Sequence, residues 1–352
     1  MRKSFCIYRV WFMCLAIFVA CTTFIACSDD DETAGNKTDI SDAIEVTVLF
    51  SPNGFGDSGY NDYILYGMQR SYLELGYDFT YHVPDDVETG MEIYEAWRTD
   101  TLADGCKKSL FVFASSEYVE AFTNASRPTD DRKDILLFES THAVEGAYTF
   151  YLGMYGIGYT IGALCHQQNT NYFTHAAVIA ANQHDPIIKR AIDGLTDGFT
   201  EAGGTACDTY YLGNTATEGY NLVEEAYQLS AELEAKGYTY LFPVAGGSNL
   251  GVYRYSRETT INTIGMDGDM RAFSLFITYS LVKRIDLALE DFMEQWVNGT
   301  EIPQHQRFLY DSGYLEMAYE YSEYMEEEDL QRLAEIEQKA KEKELEYEDN
   351  MQ

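Results

Sequence analysis

Short runs of β-branched and apolar residues alternate along this chain with longer amphipathic segments. In the segment after the first run (44–50), Ile64, Met68 and Leu75 recur at helical spacing. Similar strand-like runs occupy 79–83, 110–114, 135–138, 176–180, 209–212, 240–244 and 263–266, and helical patterns occupy 153–168, 187–202 and 222–236. Such alternation predicts α/β architecture with parallel sheets covered by helices on both faces. The strands are too many for one sheet, so we expect two βα domains.

The C-terminal third continues the helical pattern. Residues 283–297 place Ile285, Leu289 and Phe292 on one stripe, which we interpret as a core-facing helix. Residues 321–352 are strongly acidic and are predicted to form a docked helix. Its run of charges is expected to face solvent.

The N-terminus resembles a lipoprotein export signal. Basic residues precede an apolar run that is shorter than the roughly 20 residues of a membrane helix. Residues 1–26 are therefore predicted to be a signal peptide and Cys27 the lipidated N-terminus, with Cys21 as the alternative. Residues 27–43 would form a flexible tether. This arrangement predicts a lipid-anchored protein of the cell envelope, at the outer membrane or cell surface, with the periplasmic face as the alternative.

Charge narrows the range of partners. The chain has 24 Lys and Arg against 58 Asp and Glu, a formal charge of −34. A surface this negative repels phosphate backbones and anionic headgroups, which argues against nucleic-acid binding and electrostatic membrane docking. Beyond Cys27, the cysteines Cys106, Cys165 and Cys207 allow at most one disulfide, and each is expected to be a small buried residue.

Motifs of catalysis and metal binding are missing from the sequence. It contains no phosphate loop, nucleophile elbow, HExxH motif or Cys-x-x-Cys pair, and its six histidines are scattered. The sequence therefore predicts a protein that is not an enzyme and that has no metal or cofactor. A hydrolase such as a nucleosidase is kept only as the weakest functional hypothesis.

Two glycine-containing turns have the composition of a ligand site. In the loop at 54–62, Tyr60 offers a flat ring and Asn61 offers both a donor and an acceptor at a helix start. Gly246 and Gly247 follow a buried strand and open a helix, where free amides favour oxygen-rich groups. The alternatives are an ordinary capped turn at Asn61 and a tight strand-to-helix turn at the glycines.

A carboxylate and an amine form the third candidate feature. Asp267 ends a strand and can accept two hydrogen bonds from a vicinal diol, while Lys283 can donate to the same hydroxyls and keep Asp267 ionised. Lys283 is expected at a helix start, where its charge opposes the helix dipole. The alternative is an exposed Asp and an unrelated Lys.

Five segments, in the order of the chain, carry a resemblance to a known family. They are GDSGYNDYILYGMQRSYLELG, DPIIKRAIDGLTDGFTEAG, YLFPVAGGSNLGVY, TIGMDGDM and SLVKRIDLALEDF. Together they resemble the basic membrane protein (BMP) family of substrate-binding lipoproteins, which includes purine nucleoside receptors of bacterial ABC importers. The similarity runs from about residue 44 to about residue 319.

The resemblance implies a type I periplasmic-binding fold with two Rossmann-like lobes and a multi-strand hinge. Lobe 1 would comprise 44–148 and about 272–300, and lobe 2 would comprise 149–271 and about 301–320. It also implies a nucleoside-like ligand, an ABC permease partner and a monomer. Asp267 and Lys283 would hold the ribose, Gly246 and Gly247 would approach it, Asn61 would read the base, and Asp57, Tyr60 and Ser116 would line the pocket.

The sequence departs from the family pattern at two aromatic positions. Leu65 stands where the family often has an aromatic residue, and the loop at 213–217 lacks a stacking Phe. Stacking contributes ~1–3 kcal/mol per base, so the loss of these aromatic side chains would weaken nucleoside binding or change the ligand. Another heterocycle such as riboflavin is therefore an alternative ligand, and Tyr60, Tyr63 or Tyr66 are candidates to replace the missing rings. A signalling or protein-interaction module with the same fold is the alternative function.

Overall fold

The computed structural model describes residues 44–167, 175–319 and 327–351. The predicted signal peptide, the lipidation at Cys27 or Cys21 and the tether all lie outside these residues. Within the described ranges, no helix combines the length and apolar character that a bilayer crossing requires. Cys106, Cys165 and Cys207 are free thiols, and the first two are buried.

Two six-stranded sheets form the framework, in the orders β11-β5-β4-β3-β1-β2 and β12-β10-β9-β8-β6-β7. All neighbours in the first sheet are parallel, and in the second only β12 runs antiparallel, against β10. The strands are β1 Ile44–Leu49, β2 Asp78–His82, β3 Lys108–Phe113, β4 Lys133–Phe138, β5 Tyr148–Leu152, β6 His175–Ala180, β7 Ala206–Tyr211, β8 Tyr240–Val244, β9 Asn262–Gly265, β10 Ile277–Lys283, β11 His305–Phe308 and β12 Leu315–Tyr319.

Helices cover both faces of these sheets. They are α1 Tyr60–Leu75, α2 Val87–Thr99, α3 Val119–Thr123, α4 Tyr155–Gln167, α5 Pro186–Glu201, α6 Val223–Ala235, α7 Asn249–Glu258, α8 Ile285–Asn298 and α9 Glu327–Asn350. Short 3₁₀ turns lie at Ser116–Tyr118, Gly246–Ser248 and Tyr310–Ser312. The predicted α/β architecture is confirmed.

Strand composition follows position in the sheet. The central strands β3 and β4 are buried on both faces, and in each strand two polar residues are followed by four apolar ones, as is typical of parallel strands between helix layers. The edge strand β2 is largely exposed and reads DFTYH, which is polar enough to discourage pairing with another chain.

Helices α4 and α5 approach closely because glycines face one another along their contact. A Cβ at Gly198 would clash with the carbonyl oxygen of Tyr159, and one at Gly162 would lie 2.9 Å from the backbone nitrogen of Phe199. Small residues at this spacing let the helix backbones touch. The pair fixes the helix layer of the second sheet.

Within the described residues the chain passes between the sheets at three places: β5 to α4, β10 to α8, and β11 to β12. Helix α8 returns to the first lobe, where Gly67 of α1 packs against the backbone of Asp286. The assignment of the C-terminal strands to the two sheets differs from the lobe boundaries that the sequence analysis gave. Strand β10, within 272–300, belongs to the second sheet, and β11, within 301–320, belongs to the first.

One boundary corrects a prediction that bears on the site. Lys283 ends strand β10 and helix α8 begins at Ile285, so Lys283 is not at a helix start. Residues 277–282 are apolar or small and largely buried between β9 and β12, which favours a strand. The argument from the helix dipole does not apply to Lys283.

The C-terminal helix α9 differs from the expectation of a fully solvated charged face. Its Glu348 is buried, pairs with Arg190 through Oε1 at 2.6 Å from Nε, and accepts a hydrogen bond from the Tyr151 hydroxyl at 2.7 Å. Glu344 is also buried and accepts from the backbone nitrogens of Gly156 at 3.0 Å and Tyr310 at 2.7 Å. Burial raises the pKa of Glu344 to about 7, against these two hydrogen bonds.

Candidate functional site

The carboxyl ends of the strands in both sheets open onto one cavity of about 160 Å³. Loops that follow β1, β3, β4, β6, β8 and β9, together with the end of β10, contribute to its lining. This is where open α/β sheets place their ligands. The cavity brings together the eight residues that the sequence analysis proposed as ligand-binding: Asp57, Tyr60, Asn61, Ser116, Gly246, Gly247, Asp267 and Lys283.

The loop between β1 and α1 is held by Asp57. Its carboxylate accepts from the backbone nitrogens of Gly59 at 2.9 Å and Asn61 at 3.0 Å, and from Nδ2 of Asn61 at 3.1 Å. Burial raises the pKa of Asp57, and these backbone hydrogen bonds counteract the rise. Asp57 therefore shapes the loop, and it orients the amide of Asn61.

This orientation leaves two polar atoms of α1 without a protein partner. Asn61 is 6% exposed, and its Oδ1 makes no hydrogen bond among the described residues. The Tyr60 hydroxyl is likewise buried and unpartnered. Because an unsatisfied buried polar atom costs ~1–3 kcal/mol, both atoms are poised to bond a ligand.

Asp267 lies just beyond β9 in a left-handed backbone conformation, with φ of 68°. Gly59 lets the first helix approach, since a Cβ there would lie 3.0 Å from the Asp267 Cβ. The Asp267 carboxylate accepts no hydrogen bond from the described residues. Burial raises the pKa of Asp267 to about 6, and the charge of Lys283 partly counteracts the rise.

The ion-pair partner of Lys283 is Glu139, a residue that the sequence analysis did not single out. Glu139 follows β4 of the first sheet, so its ion pair with Lys283, buried on both sides, joins the two lobes. Desolvation lowers the pKa of Lys283, but Glu139 and then Asp267 outweigh it and raise the value overall. The link from Lys283 to Asp267 is a backbone hydrogen bond of 3.1 Å.

A second bridge between the lobes involves Asp185, which caps helix α5 through the backbone nitrogen of Ile187 at 2.7 Å. Its Oδ2 also accepts from the Ser116 hydroxyl of the first lobe at 2.7 Å and from the Tyr220 hydroxyl at 2.8 Å. Ser116 thus lies in the cavity wall and donates a hydrogen bond from the first lobe to Asp185 of the second lobe.

The Gly246–Ser248 turn packs against Tyr220. Gly246 has φ of 54°, and a Cβ there would lie 3.3 Å from Cδ1 of Tyr220. A Cβ at Gly247 would lie 3.1 Å from the Tyr220 carbonyl oxygen. A Cβ at either glycine would be a tight contact with Tyr220, and the left-handed backbone at Gly246 additionally favours glycine there.

Sequence reasoning missed several polar residues of the lining, among them Glu117, Glu139, Asp185 and Tyr220. Glu117 accepts from the hydroxyls of Ser115 and Ser51 and, more distantly, from Asn53. Glu117, Glu139 and Asp185 each follow a parallel strand closely, which is a feature that the sequence does show. Tyr220 carries no comparable indication.

The ring content of the cavity differs from the three tyrosines considered as replacement rings. Tyr60 lines the cavity, and Lys283 Nζ lies 4.9 Å from its ring centroid. Tyr63 and Tyr66 are absent from the lining, and Tyr66 is 51% exposed. Tyr220 and Phe55 are the other aromatic residues of the wall.

Solved structures share this arrangement over most of the chain. A solute-binding protein of an ABC transporter system from Aeropyrum pernix K1 has a TM-score of 0.67 at 19% identity, covering 85% of this chain and 86% of that chain. A transcriptional activator of the comK gene from Bacillus halodurans has a TM-score of 0.64 at 17% identity, covering 84% and 97%. The chain has the type I periplasmic-binding fold.

A third similar structure contains a sugar. The solute-binding protein of an ABC transporter from Burkholderia graminis C4D1M, in complex with D-arabinose, has a TM-score of 0.55 at 15% identity and covers 78% of this chain and 95% of that chain. No protein-family model and no curated protein matches the sequence. The TM-scores establish the fold. The sequence identities are too low to transfer a ligand, so the ligand is argued from the residues of the cavity.

Proposed function

We propose that this protein is a substrate-binding lipoprotein of the BMP type that captures a nucleoside-like molecule and delivers it to an ABC permease. The observation that carries the proposal is the cavity between the two sheets, where the buried Asn61 Oδ1 and Tyr60 hydroxyl have no hydrogen-bond partner among the described residues and Asp267 contributes a carboxylate to the lining. A hydroxylated ligand would supply the missing donors. The solute-binding proteins among the similar structures support this class of function.

The polar residues of the cavity suit the two ends of a nucleoside. Asp267 would accept hydrogen bonds from the ribose hydroxyls, and Lys283 would donate to them, since its pair with Glu139 engages only part of its donor capacity. Asn61 Oδ1 would accept from an exocyclic amine or ring N–H of the base. No bond is made or broken, so the protein acts as a carrier and not as an enzyme.

Closure of the lobes would couple to binding. Asp57, Tyr60 and Asn61 belong to the first lobe, while in the second lobe Asp267 follows strand β9 and Lys283 ends strand β10. A ligand that touches both sets gains its full contacts only when the lobes are closed, so it shifts the equilibrium toward that state. The closed form would be the one that a permease recognises.

The proposal includes the membrane anchor. A lipid on Cys27, followed by the tether at 27–43, would hold a monomeric receptor at the cell envelope near its permease. Metabolic labelling with a palmitate analogue tests this part. Incorporation that is lost in Cys27→Ala and kept in Cys21→Ala is expected, and labelling that survives Cys27→Ala contradicts it.

Ligand binding is tested by the melting temperature and by calorimetry. Adenosine, guanosine, inosine, free bases and riboflavin are compared, and at least one nucleoside is expected to raise the melting temperature. Asp267→Ala should abolish this rise. Asp269→Ala is the matched control, because Asp269 is exposed and pairs with Arg271. A panel without any effect, or equal binding by Asp267→Ala, contradicts the proposal.

A further inference from the structure

The lining of the cavity has an unbalanced charge. Among the residues that the structure describes, it contains five carboxylates and one ammonium, and neither Arg nor His contributes to it. The ammonium of Lys283 is paired with Glu139. The other four acids have no basic side chain within ion-pair distance among the described residues: Asp57, Glu117, Asp185 and Asp267.

Neutral groups hold three of these four acids in place. Asp57 is bonded by backbone and amide N–H groups, Glu117 mainly by serine hydroxyls, and Asp185 by Ser116, Tyr220 and the start of α5. Hydrogen bonds of this kind stabilise an ionised carboxylate without cancelling its charge. The negative potential in the cavity therefore persists.

Two acceptors facing the cavity also have no donor. Asn61 is only 6% exposed, and its Oδ1 has no hydrogen-bond partner among the described residues. The fourth acid, Asp267, accepts no hydrogen bond from the described residues. Burial raises the pKa of Asp267 and of Glu117; the charge of Lys283 partly counteracts the rise at Asp267, and the serine hydroxyls do so at Glu117. The cavity thus offers more acceptors and negative charge than its own donors satisfy.

We infer that the ligand of this cavity carries a positive charge, as a protonated amine or a cationic ring nitrogen on a compact body. The inference rests on the proposed function and narrows its ligand class. The apolar part of the wall, formed by Met154, Ile187, Ile188, Val223, Val244 and Leu250, suits the uncharged body of such a molecule. The rings of Tyr220 and Phe55 also favour a cation. Phosphorylated or carboxylated ligands are excluded by repulsion.

The test compares nucleosides that differ in charge and little else. 1-Methyladenosine is cationic at pH 7, and its isomer N6-methyladenosine is neutral, so this pair tests a charge on the base. 5′-Amino-5′-deoxyadenosine and adenosine form the corresponding pair for a charge on the sugar. At least one cation is expected to bind roughly tenfold or more tightly than its neutral partner, from the strength of charged hydrogen bonds. Two cations that bind no better than their partners overturn the inference.

Site variants separate the cavity from the acidic surface, because a net charge of −34 attracts any cation. Glu117→Gln removes one charge from the wall and keeps its shape. It should reduce the cation-to-neutral affinity ratio several-fold, whereas Asp269→Asn, at an exposed site, should leave the ratio unchanged. A ratio that falls equally in both variants assigns the preference to the surface and overturns the inference.

The ligand retained by the protein gives a readout independent of the nucleoside panel. The full chain is purified gently, and the released small molecule is identified by mass and by electrophoretic mobility at pH 7. A cationic nucleoside supports both proposals, and a cation without ribose supports the inference while contradicting the nucleoside. A neutral nucleoside supports the proposed function and overturns the inference, and an anion contradicts both.

Discussion

Replacing Asp267 by Asn should stabilise the ligand-free protein while removing its ligand binding. Burial raises the pKa of this carboxyl from 3.8 to about 6. Because the folded-state pKa lies above the unfolded one, full stability is present below pH 3.8 and is lost as the pH rises through 6. At 1.36 kcal/mol per pH unit, the loss is about 3 kcal/mol at pH 7.5 and about 1 kcal/mol at pH 4.5.

Asn is neutral at every pH and tolerates the left-handed backbone at this position, so Asp267→Asn should recover that loss. Urea unfolding of ligand-free parent and variant at pH 4.5 and 7.5 measures both differences. Asp269→Asn is the control, and its effect should stay below ~1 kcal/mol because this exposed carboxylate is screened. A variant no more stable than the parent at pH 7.5, or a gap equal at both pH values, refutes the reasoning.

Three further substitutions test the cavity and its support. Lys283→Met leaves Glu139 as an unpaired buried carboxylate and should cost ~3–5 kcal/mol in urea unfolding. Adding Glu139→Leu should recover most of it, and an additive loss would contradict the pair. Gly198→Ala should lower the free energy of unfolding by ~1–3 kcal/mol, because its Cβ meets the Tyr159 carbonyl, and an unchanged melting curve argues against that contact. Tyr60→Phe removes an unpartnered buried hydroxyl, so ligand-free stability should hold while nucleoside affinity falls roughly 5- to 10-fold in calorimetry. The opposite pattern assigns the hydroxyl a structural role.

The sequence predicted the cavity residues that follow a recognisable strand. Asn61, Gly246 and Asp267 come after buried apolar runs, and parallel strands bring their carboxyl ends to one edge. The partner of Lys283 could not be predicted in this way. Glu139 directly follows a predicted strand, but that strand belongs to the other sheet, and the sequence does not show that the two sheets bring Glu139 and Lys283 together.

Two of the strands that the sequence did not predict are β11 and β12. Strand β11 is short and polar, and β12 pairs antiparallel at an edge, so neither shows an apolar run. Helix α9 was predicted as a docked helix, but the burial of its Glu344 and Glu348 was not, because it depends on partners that lie on distant elements.

The position of Glu344 has a mechanical consequence. One carboxylate is bonded to Gly156, just after the first connection between the sheets, and to Tyr310, within the third. Rotation of one half of the molecule against the other therefore pulls on both bonds together. Helix α9 therefore restrains the connections between the two sheets through Glu344. We expect that removing α9 would make it easier for the two lobes to open and close around the cavity.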